Sequence, residues 1–297
     1  MQHMEEKHRV LRAATATFAL VAALGLTACG GDDGGSGSTV ASTDESAGGT
    51  SPGGTSSSSI RVEGQSQALS GGLATVSVVT PPVSWNADGA FPSGSFTLSA
   101  SSVDASQLKS QAPGAYTALP RSKDVLSLST GTVTDIAGNG DFAIGRWTAG
   151  SDSAGHSYNA NQGQTWAVGA PVTVGVTDRT PLNCSLVAAT RPTSMDGNTA
   201  PGSLDGATAV VTGQTDVLGN VGANAAVTLQ YSIGADKHQT FSGDTRVGSM
   251  STSTAKRSSL FTRFMGPDAS TPYLVVSYGV PAATAGGVNG LAILSCK

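Results

Sequence analysis

Side chains alternate along Ala225-Ala226-Val227-Thr228-Leu229-Gln230-Tyr231-Ser232-Ile233, with Val227, Leu229, Tyr231 and Ile233 on one face and Thr228, Gln230 and Ser232 on the other. Period two, with β-branched and aromatic residues on the apolar face, is the pattern of a half-buried antiparallel strand. Similar runs recur at Phe142 to Thr148, Gln164 to Val168, Ser185 to Thr190, Ser203 to Val211, Gln239 to Ser242, Ser258 to Phe264, Tyr273 to Gly279 and Val288 to Ser295, with turn residues between them. The 39 glycines suit a body with many turns. The chain is therefore expected to be all-β. Its C-terminal half, 141–297, should form a small antiparallel up-and-down barrel of eight or nine strands, which removes exposed sheet edges. A β-sandwich is the alternative. A barrel spanning a membrane is not expected, because the runs are short and show no aromatic girdles.

Residues 60–140 are more irregular and poorer in apolar residues. Leu73 to Val79, Ser95 to Ser99 and Asp124 to Ser129 read as strands, and Pro81-Pro82 stops the first. Val103 to Ser110 is expected as a short helix with Asp104 as its N-cap. Asp135 to Asp141 has the outline of a calcium loop but lacks the alternating oxygen ligands, so a β-turn on Asn139-Gly140 is expected there.

Ahead of this body stands Leu26-Thr27-Ala28-Cys29, which has the form of a bacterial lipobox. Lys7, Arg9 and Arg12 precede an apolar run from Ala13 to Leu26, which is shorter than the roughly 20 residues a bilayer span needs. Residues 1–28 read as a lipoprotein signal peptide, with cleavage before a lipidated, palmitate-bearing Cys29. An ordinary signal peptide or an anchor helix stays open beside it. Gly30 is not the aspartate tied to inner-membrane retention, so the expected location is the outer membrane, on either side of it. Residues 29–59 are Gly, Ser, Thr, Asp and Ala with almost nothing apolar, and are expected to be a disordered tether. Such a tether has a mean reach of roughly 30 Å.

The net charge is −4, and residues 1–28 contribute +1, so the remainder carries about −5. Without a basic patch, nucleic acid is not an expected partner. Besides Cys29 the chain holds only Cys184 and Cys296. In an oxidising envelope these two are expected to form a disulfide, with two free thiols as the alternative. Closing a loop of about 110 residues allows nearly 5 kcal/mol of stabilisation by chain entropy.

Few residues invite a catalytic reading. His156 and His238 are the histidines of the body, both in turn-like surroundings, and both are expected to be solvated. A nucleophilic triad needs a base beside Ser, Cys or Thr and a third group to orient it, and no Gly-x-Ser-x-Gly elbow is present. The scattered His and Cys give no metal-ligand spacing, and no cofactor motif is present. Trp85, Trp147, Trp166, Tyr158, Tyr231, Tyr273 and Tyr278 are expected to pack the body. Arg146, Lys256, Arg257 and Arg263 are expected at the surface.

Ser185-Leu186-Val187-Ala188-Ala189-Thr190-Arg191-Pro192-Thr193, Asp196-Gly197-Asn198 and Gly202-Ser203-Leu204, followed by an alternating strand, resemble the lipoprotein barrel of the transferrin-binding protein B type, a group that includes factor H-binding protein. Phe264-Met265-Gly266-Pro267-Asp268-Ala269 is similar to that group's Phe-x-Gly-x-x-Ala turn, and Gly145-Arg146-Trp147 to a strand often found upstream of it. The resemblance runs from Asp141 to Cys296. Thr262 stands where the group usually has glycine, and the first half matches nothing of the group's handle region. The resemblance implies a non-catalytic surface lipoprotein that binds a protein partner, anchored to the membrane through Cys29. Two alternatives are kept: a barrel holding a small ligand, and an envelope hydrolase. A partner binder should expose an apolar or aromatic patch on loops at one barrel end, a carrier should have a hollow, partly apolar interior, and a hydrolase should bring a histidine to a serine and a carboxylate.

Overall fold

Among the described residues, eighteen strands build two sheets. The computed structural model describes residues 59–81, 99–177, 180–215, 221–253 and 257–297. The first sheet contains β1 (Ile60–Val62), β2 (Thr75–Val79), β3 (Ser99–Asp104), β4 (Lys109–Ala112), β5 (Ala115–Pro120), β6 (Val125–Gly138), β7 (Phe142–Asp152), β8 (Ser157–Tyr158) and β9 (Gln164–Gly169). It runs in the order β3-β2-β9-β7-β6-β5-β4, with β8 against β7 and the short β1 parallel to β6. The second contains β10 (Leu182–Ala189), β11 (Thr193–Ser194), β12 (Ser203–Thr215), β13 (Val221–Ile233), β14 (Asp236–Arg246), β15 (Met250–Ser253), β16 (Ser258–Met265), β17 (Tyr273–Ala282) and β18 (Gly286–Cys296).

The second sheet is a nearly closed up-and-down barrel. Its path is β14-β13-β12-β10-β18-β17-β16-β15, so its first long strand pairs with its last. On the far side β14 lies against β15 and β16, and the amide of Gly248 donates to the carbonyl of Thr262 (2.7 Å) across that gap. The barrel interior is filled by Val227, Leu229, Ile233, Leu274, Val276, Tyr278 and Leu294 with their neighbours. Gly290 faces Tyr278, and a Cβ there would stand 2.3 Å from the phenol oxygen. Only glycine makes room for that ring.

The first sheet curls into a half-barrel over a core of its own, around Trp147, Trp166, Leu119, Leu126, Val76 and Val133. The Trp147 indole N–H donates to the Tyr116 carbonyl (2.8 Å). The six-membered ring of Trp166 covers Gly145, its cross-strand partner, at a distance that excludes any Cβ. A third cluster lies between the sheets. Phe142, Ile144, Ala167 and Val79 of the first sheet meet Phe261, Met265, Val275, Leu291 and Ile293 of the barrel. Strands β7, β9, β17 and β18 are therefore buried on both faces, and each apolar side chain fully removed from water there contributes about 1.5–3 kcal/mol.

The expected runs correspond to β2, β6, β7, β9, β10, β12, β13, β14, β16, β17 and β18, several of them longer than expected. Two expectations need correction. Phe142 to Thr148 and Gln164 to Val168, assigned to the barrel half, pair within the first sheet, so the passage between sheets falls between Gly169 and Leu182 rather than at 140/141. The helix expected over Val103 to Ser110 is instead the end of β3, one 3-10 turn (Ala105–Gln107) and the start of β4, because strand pairing takes both of its ends. Asp104 does cap that turn, accepting from the Ser106 amide (2.9 Å). Asn139-Gly140 forms the β6–β7 hairpin with Gly140 at φ +95°, and the Asn139 side chain accepts from the Asp141 amide (3.1 Å). Residues 1–58, Trp85, Lys256 and most of the Ser95 to Ser99 run lie outside the described residues, and with them Cys29 and the tether.

Candidate functional site

The two body cysteines meet at the barrel's closing seam. Cys184 of β10 and Cys296 of β18 are cross-strand partners with Cα atoms 4.0 Å apart, and their sulfurs are bonded. Asn183 and Lys297 beside them exchange both amide hydrogen bonds (2.9 and 3.1 Å). The cysteines thus take the neighbouring non-hydrogen-bonded position, where antiparallel side chains come closest. The bond joins the first and last barrel strands.

His156 and His238, the two histidines among the described residues, each meet a carboxylate. At the end of β7, Asp152 accepts from the Ala154 amide (2.9 Å), the His156 amide (3.1 Å) and the Tyr158 hydroxyl, and lies 2.9 Å from His156 Nδ1. Burial pushes the Asp152 carboxyl up, but the bonds from His156 and Tyr158 outweigh it and hold it below the usual value. The bond to Asp152 raises His156. Burial, with the same carboxylate, pushes the Tyr158 phenol far up. Asp205, bulged out of β12, accepts from Ser203 (2.6 Å) and Ser232 (2.5 Å) and stands 3.2 Å from His238 Nδ1. Those hydroxyl bonds hold its carboxyl below the usual range. Ser232 donates to the carboxylate rather than offering its oxygen to the imidazole, so the Asp205 cluster has the parts of a triad in the wrong order. The His238 side chain is solvated, as expected, whereas His156 is only half exposed. Among the described residues no group of three His, Cys, Asp or Glu could hold a metal ion.

Arg146 corrects the expectation of a surface cation. It is fully buried, because β7 places even-numbered side chains toward the barrel. Its guanidinium donates to Asp135 (2.8 Å) and to the Gln162 carbonyl (3.0 Å). Asp135, bulged from β6 at φ +56°, also accepts from the Arg191 guanidinium (2.6 Å) and amide (3.1 Å). Arg191 belongs to the Thr190-Arg191-Pro192-Thr193 turn of the second sheet, so one carboxylate joins two guanidinium groups across the sheets. Gln162 extends this polar seam by donating to the Met195 carbonyl (2.6 Å), and Asn159 and Asn161 donate to that of Gly197 (3.1 and 3.0 Å). Asp135 was not legible as a site residue. A positive-φ bulge carries no sequence signal when its residue is not glycine. Arg263 is also half-buried rather than solvated, and burial lowers its guanidinium from the usual value.

The aromatic residues within the described segments pack inward: Trp147, Trp166, Tyr158, Tyr231 and Tyr278 are buried. The surface left open is the outer face of β10, β12, β13 and β14. It carries Ser185, Val187, Thr208, Val210, Ala226 and Gln230, with Val187 and Val210 among the most exposed large apolar side chains. No family model, curated protein or solved structure matches the chain.

Proposed function

We propose that the protein is a non-catalytic outer-membrane lipoprotein, anchored through Cys29, whose tethered β body binds a protein partner in the manner suggested by its resemblance to the transferrin-binding protein B group. The supporting observation is the open outer face of β10, β12, β13 and β14, where Val187 and Val210 stand among short hydroxyl side chains. Short side chains lose little entropy on contact, and exposed valines supply apolar area at the centre of such a patch. A carrier barrel calls for a hollow interior, and this one is occupied by its own side chains. A hydrolase calls for a histidine poised on a serine, and here both imidazoles address carboxylates.

The test uses intact cells that process lipoproteins. A palmitate analogue should label the wild type and leave C29A unlabelled in the soluble fraction. Cells displaying the wild type should retain a defined protein partner that cells displaying V187E/V210E, equally lipidated and folded, release. Equal retention by both, or an unlabelled wild type, would overturn the proposal.

A further inference from the structure

At the end of the intersheet core away from Arg146, a cleft of about 470 Å³ opens between β2 and β3 of the first sheet and β16 of the barrel. The 171–174 connector and the β14–β15 hairpin complete its walls. Pro171, Val172, Val174, Val247 and Phe264 contribute apolar side chains to a lining that is mostly polar, with Ser77, Ser102, Thr173 and Arg263 among it. Two polar groups stand in this lining without a partner among the described residues: Arg263 Nη1 and Ser77 Oγ, both shielded from solvent. A buried donor without an acceptor is costly, more so when it is charged, so two in one cleft ask for an explanation. Among the described lining residues no carboxylate neutralises Arg263.

The backbone around Ser77 is also unusual. Val76 pairs with Val103 and Val78 with Ala100, so Ser77 alone faces two residues of β3. One of them, Ser102, takes φ +57° and lines the same cleft. A bulge of this kind re-aims side chains and is frequent beside binding sites. A non-glycine residue at positive φ is held there by its surroundings against its own preference.

The geometry points to a binding site for a small carboxylate joined to an apolar group, with the carboxylate on Arg263 and Ser77 and the apolar part against Val172, Val174 and Phe264. A guanidinium forms charge-assisted, often paired, bonds with a carboxylate. Val172, Val174 and Phe264 offer the apolar part of an organic acid a contact that an inorganic anion lacks. The site is separate from the proposed partner face and does not depend on it.

The full-length protein is titrated with benzoate, with its neutral isostere benzamide, with inorganic phosphate and with N-acetyl-dialanine, following ligand signals by saturation-transfer NMR. Benzoate or the peptide acid should bind, and benzamide and phosphate should bind at least about tenfold more weakly. R263M should weaken the acid by about tenfold or more and keep the wild-type denaturation midpoint or exceed it, because removing an unpaired buried charge does not destabilise. S77A should weaken it by a smaller factor in an equally folded protein. A preference for benzoate means a free acid and a preference for the peptide means a protein C-terminus, and both support the site. No acid binding at millimolar concentration, equal binding of benzamide or phosphate, or unchanged affinity in R263M would overturn it and leave ordered water as the partner of these groups.

Discussion

Strands β17 and β18 and strands β12 and β13 belong to one barrel and share its core, yet they read differently. Leu274-Val275-Val276 and Leu291-Ala292-Ile293-Leu294 are continuously apolar and continuously buried. Thr208-Ala209-Val210-Val211 and Val227-Thr228-Leu229-Gln230 alternate, and only every second residue is buried. The difference lies outside the barrel. The first sheet covers β16, β17 and β18, while β12, β13 and β14 face solvent. Continuous apolar runs in an antiparallel sheet therefore mark the strands that serve two cores at once. The covered side should be sensitive to substitution and the open side tolerant, which can be tested from the largest effect downward.

The largest effect is expected at Asp135, the carboxylate between Arg146 and Arg191 at the edge of the covered side. D135N keeps the shape and tolerates the positive φ, but it leaves Arg146 buried without its counter-charge. Breaking a buried pair costs about 3–5 kcal/mol. An unfolding free energy within about 1 kcal/mol of wild type, from linear extrapolation of urea melts, would mean that Arg146 finds another acceptor. Next comes I293A, which opens a cavity between the sheets and should cost about 2–5 kcal/mol.

How much of this was visible beforehand follows the same division. Alternation in Ala225 to Ile233 is a local property, and it placed the buried face correctly down to Val227, Leu229, Tyr231 and Ile233. The disulfide followed from cysteine number. What the sequence did not reveal depends on neighbours far along the chain. Phe142 to Thr148 has the same period as a barrel strand, and only its pairing with β6 and β9 assigns it to the first sheet. Arg146 looked like a surface cation because its burial requires Asp135, 11 residues earlier, and a barrel whose covering strands lie more than a hundred residues later. Single-sequence reasoning weighs a charge alone, whereas burial is decided by the partner.

The disulfide sharpens the comparison at the seam where the open strand β10 meets the covered strand β18. Reducing Cys184–Cys296, or replacing both by serine, should cost about 2–5 kcal/mol. Because the bond fastens the end of β18, hydrogen exchange should accelerate in β10 and β18 while the first-sheet core around Trp147 stays protected. Uniform acceleration would show that the two sheets unfold as one.

A smaller effect belongs to the first sheet alone. His156 is raised by Asp152, so its contribution is complete below the ordinary imidazole value of 6.5 and disappears as pH rises through its raised folded value. Asp152 is lowered, so its contribution is present above the ordinary 3.8 and is lost as pH falls through its lowered value. The pair stabilises most between those two ordinary values. His156 is half exposed, so the gain should stay under about 1 kcal/mol. The midpoint difference between wild type and H156Q should shrink from about pH 5.5 to about pH 8, and a constant difference would show that the uncharged bond carries the whole effect.

The smallest change is expected on the open face. V210T exchanges one exposed β-branched side chain for another of similar shape, and it removes no contact with the barrel core, because Val210 points away from Ala209 and Val211. Its stability should stay within about 0.5 kcal/mol of wild type. V211T, one residue along and fully buried, places an unpaired hydroxyl in the barrel interior and should cost about 1–3 kcal/mol. The two substitutions are chemically identical and differ only in the face they occupy. Equal midpoints for V210T and V211T would mean that β12 can slip or turn in the barrel, and the division between an open and a covered side would not extend to this strand.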